Sequence, residues 1–110
     1  MNKKKRYTSI PFEVIRIAEL KDPARAAMEI EYAFKCYEEE QDLVYLLDFL
    51  GLVAKAQGGF ANLAKNIKIS RQAINTALSE EGNPRIKTFQ DIIRELGFKM
   101  VFVPIEKKTN

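Results

Sequence analysis

Residues 63–78 read LAKNIKISRQAINTAL, and the spacing of their apolar side chains predicts two short helices joined by a tight turn. Small or apolar residues that set this spacing fall at Leu63, Ala64, Ile67, Ile69, Ile74 and Ala77. Ser70 stands where the second helix would begin, and a serine oxygen there can accept a hydrogen bond from a free backbone N–H group. This pattern indicates a helix-turn-helix.

The second of these helices separates an apolar face from a polar face. Ile74, Ala77 and Leu78 lie on the apolar side at helical spacing. Arg, Gln and Asn side chains have paired donors and acceptors that match base edges in a major groove. We therefore predict that a DNA-reading face is formed by Ser70, Arg71, Gln72, Asn75 and Thr76. The alternative is that these residues form only the solvated face of an amphipathic helix.

The charge is unevenly distributed, with a net charge of +3 over residues 1–20, −4 over 21–58 and +4 over 59–110. Residues 59–79 contain three cations and no acid. A polyanion would be attracted to the C-terminal half and repelled by the middle of the chain. Contacts to DNA phosphates fix position without reading sequence. We predict phosphate contacts at Lys65, Lys68, Arg85 and Lys87. The alternative is that these four residues are ordinary surface cations that bind no DNA.

Composition favours a single soluble domain without catalytic chemistry. The chain has 110 residues, of which 46% are apolar and 30% charged. It has no histidine, the commonest general base and metal ligand, and no carboxylate spacing that indicates a metal. We predict no catalytic residue, no metal and no cofactor.

Three features of the sequence bear on where in the cell the protein is located. The longest apolar-rich stretch, residues 43–56, is interrupted by Asp48 and Lys55 and is too short to span a bilayer. No signal-peptide pattern follows the basic run at residues 3–6, which is either a solubilising tail or a phosphate-binding arm. The only cysteine, Cys36, cannot form an internal disulfide. These features predict a cytoplasmic protein.

The rest of the sequence predicts an all-α fold of about five helices with a short C-terminal β-strand. One helix begins at Asp22-Pro23, a second runs from Asp42 to about Gln57, and the last covers residues 86–96, closed by Gly97. Residues 98–103 favour a strand that Pro104 ends. Predicted domain boundaries are an N-terminal arm (1–21), partly flexible or strand-like, the helical domain (22–104) and a flexible tail (105–110).

A lone strand cannot satisfy its own backbone groups, so the predicted strand needs a partner. Within the chain, the β-like alternation of residues 8–17 could supply one. The alternative is the same strand of a second subunit, and proteins with this motif commonly bind two half-sites of DNA as dimers. A homodimer is therefore expected.

Residues 50–104 resemble the HigA-like addiction module antidote proteins, which have a lambda-repressor-type (XRE-like) helix-turn-helix. The most specific part of the resemblance is ISRQAINTALSEEGNP, residues 69–84, followed by a helix that ends in Leu-Gly. The usual glycine of the inter-helix turn is replaced by Lys68, at a position that favours positive φ and costs a non-glycine residue about 1 kcal/mol.

The resemblance implies a type II antitoxin that binds its own promoter and neutralises a small toxin, typically a ribonuclease encoded beside it. It also implies the recognition-helix role for Ser70, Arg71, Gln72, Asn75 and Thr76. Two other interpretations stay open: a stand-alone prophage-type regulator without a toxin, and a protein-binding module that has lost DNA affinity.

Overall fold

The computed structural model describes residues 12–79 and 82–106, and this part of the chain forms six α-helices. Their bounds are α1 Phe12–Glu19, α2 Pro23–Glu40, α3 Leu43–Ala56, α4 Phe60–Ile67, α5 Arg71–Ala77 and α6 Ile86–Glu95. The basic run at residues 3–6 and most of the predicted tail lie outside the described residues. The all-α prediction is confirmed for the described chain, with one helix more than expected.

Helix α3 is the centre of the core, as its predominantly apolar sequence predicts. It packs against α1, α2 and α4, and its buried residues are Leu46, Leu47, Phe49, Leu50, Gly51, Val53 and Ala54. The second helix contributes Ala26, Ile30 and Ala33. The last helix closes the core with Ile92 and Ile93.

The N-terminal ends of α2 and α3 are fixed by the two aspartates that the sequence indicated. The Asp22 carboxylate accepts a hydrogen bond from the backbone N–H of Ala24 at 3.0 Å, and Pro23 takes the first helical position. The Asp42 carboxylate accepts one from the N–H of Tyr45, also at 3.0 Å. Each aspartate satisfies a backbone donor that the helix itself leaves free.

The β-like interpretation of the N-terminal segment is wrong from Phe12 onward, because residues 12–19 are helical. Alternation of apolar and charged residues over so short a run also fits a helix, so tertiary contacts determine which of the two structures forms. Arg16 and Glu19, three residues apart on α1, form an ion pair at 2.7 Å, and α1 packs against α3. Residues 8–11 lie outside the described part of the chain.

The predicted C-terminal strand is also absent: residues 98–106 have no regular secondary structure. A strand needs a neighbouring strand to receive its hydrogen bonds, and residues 12–79 and 82–106 contain no other extended segment that pairs with it. The candidate partner within the chain is helical from residue 12.

No single helix in the described ranges is long and apolar enough to cross a membrane. Helices α3 and α4 together reach that length and apolarity, but the chain bends by 92° between them.

Two arginines and two glutamates join α1 to α2. The Arg16 guanidinium donates to both carboxylate oxygens of Glu29, at 2.5 and 3.3 Å, and Arg25 donates to Glu29 at 2.6 Å. The hydrogen bond from Arg16, more than the one from Arg25, lowers the pKa of the Glu29 carboxyl below its ordinary value. The same contact raises the pKa of Arg16, which stays charged. Glu29 is therefore held as a carboxylate when the chain is folded.

Replacement of Glu29 by Gln should lower the free energy of unfolding by about 1–2 kcal/mol at neutral pH, because the charge-assisted hydrogen bonds are lost. Since folding lowers the pKa of Glu29, its contribution exists above the unfolded pKa and disappears as the pH falls through the folded pKa. Urea unfolding between neutral pH and about pH 3 should show a smaller loss for Glu29→Gln than for the natural chain.

The matched control is Glu31→Gln on the same helix, because Glu31 is exposed and forms no ion pair with a described residue. Equal pH dependence of all three proteins would contradict the assigned role of Glu29.

Candidate nucleic-acid interface

Helices α4 and α5 form the predicted pair of short helices, and both pack on the core through the predicted apolar residues. Leu63 and Ala64 of α4 and Ile74 and Ala77 of α5 are buried. Ile74 has no exposed surface, so α5 is held by this side chain with its opposite face outward. The rotation of α5 about its axis is thus set by burial of Ile74.

The turn between the two helices has a left-handed backbone at Lys68, with φ 65° and ψ 43°. The N–H of Lys68 donates to the carbonyl of Lys65, and the N–H of Ile69 donates to that of Ala64. This hydrogen-bond pattern terminates many helices, and the residue with the left-handed backbone is then usually glycine.

The same pattern ends α6, where Gly97 has φ 97°. There the N–H of Gly97 donates to Arg94 and that of Phe98 to Ile93. Lys68 therefore occupies a glycine-type position, as the resemblance implied, and adds a cation to the turn at the cost of left-handed strain.

Ser70 caps α5: its hydroxyl oxygen accepts a hydrogen bond from the backbone N–H of Ala73 at 3.0 Å. The remaining residues of the predicted DNA-reading face are exposed, namely Arg71, Gln72, Asn75 and Thr76. The side chains of Arg71, Gln72 and Asn75 form no hydrogen bond or ion pair with any other side chain in residues 12–79 and 82–106. Within these ranges nothing occupies their donors and acceptors.

A shallow groove runs between α5 and the start of α6. It is lined by Ile69, Ser70, Gln72, Ala73, Thr76, Ala77, Asn83, Pro84, Arg85 and Thr88. Nothing in the sequence singles out Thr88, because only the tertiary structure brings the first turn of α6 beside α5.

The loop approaches α5 closely at Gly82, where a Cβ would collide with the carbonyl oxygens of Thr76 and Ala77. Gly82 thereby brings Asn83 and Arg85 to the edge of the groove.

The four predicted phosphate contacts have different surroundings. Lys65 and Lys68 are exposed at the end of α4, and Arg85 is exposed at the N-cap position of α6, beside the groove. Lys87 is exposed but donates to the Asp91 carboxylate at 2.9 Å, one helical turn away. Its charge is already partly balanced, so Lys87 is the weakest of the four candidates.

Two polar contacts join α6 to the helices that precede it. The Asn66 amide of α4 donates to the Glu95 carboxylate of α6 at 2.7 Å. The Gln57 amide, at the end of α3, donates to the backbone carbonyl of Leu96 at 2.7 Å. These contacts, which the sequence did not predict, fix α6 against both α3 and α4, and so determine where Arg85 and Thr88 lie.

Other functional chemistry is sparse in the described ranges. They contain no group of three or more acidic, cysteine or histidine side chains that could hold a metal ion. Cys36 is half-buried, and its contact with Tyr32 raises the pKa of the Tyr32 hydroxyl. No described neighbour of Cys36 indicates a reactive thiol.

The fold and this surface define the class as a small all-helical protein with an exposed polar face on a short helix that follows a tight turn. A family described as "Probable addiction module antidote protein" matches residues 17–104, and the chain belongs to that family. No curated protein and no solved structure matches the chain. Membership supports an antitoxin role in a toxin–antitoxin module and implies a toxin as partner; such antidotes are in general not enzymes.

Replacement of Lys68 by Gly should raise the free energy of unfolding by up to about 1 kcal/mol, because glycine adopts the left-handed backbone without strain. Lys68→Ala removes the same charge but keeps the strain, so it should bring no such gain. Thermal or urea unfolding of the two variants measures the difference. A stability gain of equal size in both would show that loss of the charge, and not relief of the backbone, is responsible.

Proposed function

We propose that the chain is the antitoxin of a type II module that acts in the cytoplasm, binds operator DNA as a homodimer and represses its own operon. In this proposal α4 and α5 are a lambda-repressor-type helix-turn-helix. Helix α5 enters the major groove, and the toxin is a small ribonuclease encoded beside this chain. Antidote family membership supports the antitoxin part, and the exposed face of α5 supports the DNA-binding part.

The observation that carries DNA binding is the face of α5. Arg71, Gln72 and Asn75 are exposed, and their polar groups are not used by other described side chains. They follow one another at helical spacing on a helix whose opposite face is fixed by Ile74. Such side chains can form paired hydrogen bonds with the edges of guanine and adenine.

Phosphate contacts would hold the helix in the groove. Lys65 and Lys68 lie at the end of α4 and Arg85 lies beside the groove, so cations are present on both sides of α5. Residues 59–79 contain no acid that would repel the DNA backbone. We assign Lys65, Lys68 and Arg85 to phosphate contacts, and Lys87 only if DNA displaces it from Asp91.

Replacement of Arg71 by Ala should weaken specific binding by about 1–3 kcal/mol and relax the base preference at one position. Lys65→Ala should instead weaken all sequences alike and reduce the slope of log affinity against log salt by about one unit. Both can be measured by fluorescence anisotropy on a duplex from the region upstream of the operon and on a scrambled duplex. Unchanged operator affinity of Arg71→Ala would refute the recognition-helix assignment.

The toxin requires a surface separate from the DNA-binding face, and α2 and α3 offer one. Met28 and Tyr32 are exposed one turn apart on α2, and the Tyr32 ring packs edge-on against Tyr45 of α3 with 6.5 Å between centroids. Residues 21–58 around them carry a net charge of −4. An exposed aromatic cluster within an acidic region suits a basic ribonuclease.

The antitoxin part can be tested by growth rescue. Expression of the protein encoded beside this chain should arrest growth, and co-expression of the natural chain should restore it. The double variant Tyr32→Ala, Tyr45→Ala should fail to restore growth yet still bind the operator, because its substitutions lie on α2 and α3. Arg71→Ala should restore growth and serves as the control.

If the natural chain does not restore growth, the antitoxin role is wrong. If the tyrosine variant restores growth fully, the toxin binds elsewhere.

A further inference from the structure

Helix α1 is attached to the rest of the protein with little buried apolar surface. None of its residues is buried, whereas each of the other five helices in residues 12–79 and 82–106 has at least two buried residues. Phe12, at its first turn, is 67% exposed. The first buried side chain on this side of the chain is Leu20, directly after the helix. Since stabilisation scales with apolar surface removed from water, burial holds α1 only weakly.

A cleft of about 280 Å³ lies between α1 and α3. Phe12, Glu13 and Arg16 line it from α1, and Leu47 and Leu52 line it from α3. Side chains that face a gap lose the dispersion contacts that close packing provides. The two helices are therefore not close-packed along this side, although they contact each other elsewhere.

Ion pairs supply the polar contacts of α1, and the pair at its first turn is the more exposed. Lys55 Nζ of α3 lies 2.8 Å from the Glu13 carboxylate, and these two side chains are 42% and 52% exposed. At the other end of the helix, Arg16 pairs with Glu29 of α2, where both side chains are mostly covered. Exposed ion pairs contribute little free energy and are screened by salt. The first turn of α1 is thus held by a weak, salt-sensitive contact.

Release of α1 would not leave Glu29 without a partner. Arg25, on the same helix as Glu29, donates to this carboxylate at 2.6 Å. Most of the cost of breaking a partly buried ion pair comes from the charge that is left unpaired. Arg25 reduces that cost, because it stays beside Glu29 when Arg16 leaves.

We propose that α1 is a detachable lid over the cleft, with the Glu13–Lys55 ion pair as its salt-sensitive attachment. A helix of eight residues does not persist in water without tertiary contacts, so α1 unfolds when it is released. Helices α2–α6 stay folded, and the wall of α3 at Leu47 and Leu52 opens to solvent. The ionic strength determines how often the lid is open. This inference does not depend on the proposed function.

Hydrogen exchange of the natural full-length chain, detected by NMR, tests the proposal. The backbone N–H groups of residues 16–19 report on α1. They should exchange at least about tenfold faster than those of α3, and with little dependence on low urea concentrations, because local release exposes little surface. An increase of NaCl from about 0.05 to about 0.5 M should speed exchange in α1 about two- to fivefold and leave α3 unchanged.

Glu13→Gln removes the ion pair and should also speed exchange in α1 about two- to fivefold. In a Lys55→Gln background, Glu13→Gln should have little further effect, because its partner is already absent. Glu31→Gln is the matched control and should not change exchange in α1. Glu31 is exposed on α2 and forms no ion pair with a described residue.

The inference is wrong if the N–H groups of α1 exchange at the rate of α3 with the same urea dependence, because α1 would then unfold only with the whole protein. It is also wrong if neither added salt nor Glu13→Gln changes exchange in α1. The urea and salt series need only the natural chain, so they decide the question even where a variant does not fold.

Discussion

Burial of α3 is the constraint on which the rest of the structure depends. Seven of its residues are buried, and α1, α2 and α4 all pack against it. Because about 25 cal/mol is gained for each square ångström of apolar surface removed from water, this helix contributes a large part of the folding free energy. The chain bends by 92° where α3 passes into α4, so the central helix also sets the direction of the helix pair.

The orientation of the polar face follows from that packing. Ile74 is fully buried and fixes the rotation of α5, while the Lys68 turn fixes where α5 starts. The hydrogen bonds from Gln57 to Leu96 and from Asn66 to Glu95 fix α6 beside the pair. A surface that is made of flexible polar side chains is thus presented by a rigid set of helices, which reduces the entropy lost on binding a ligand.

Two neighbouring regions of the chain have different roles in the proposed function. The acidic region of α2 and α3 carries the exposed tyrosines, and the acid-free residues 59–79 carry the DNA-reading face. Separation of the two surfaces would let one molecule hold a toxin and an operator together.

The sequence by itself determined the elements whose signals are local. The aspartate caps of α2 and α3, the Ser70 cap of α5 and the glycine at the end of α6 each depend on a few neighbouring residues. The buried and exposed faces of α5 followed from helical period alone.

Only the tertiary structure decided the features that depend on distant contacts. Phe12–Glu19 became a helix through its packing on α3 and the ion pair of Arg16 with Glu29 of α2, although its alternation also fitted a strand. Residues 98–103 have strand composition but form no strand in the single chain. A helix satisfies its own backbone, whereas a strand requires a second segment, and no local pattern states where that segment is.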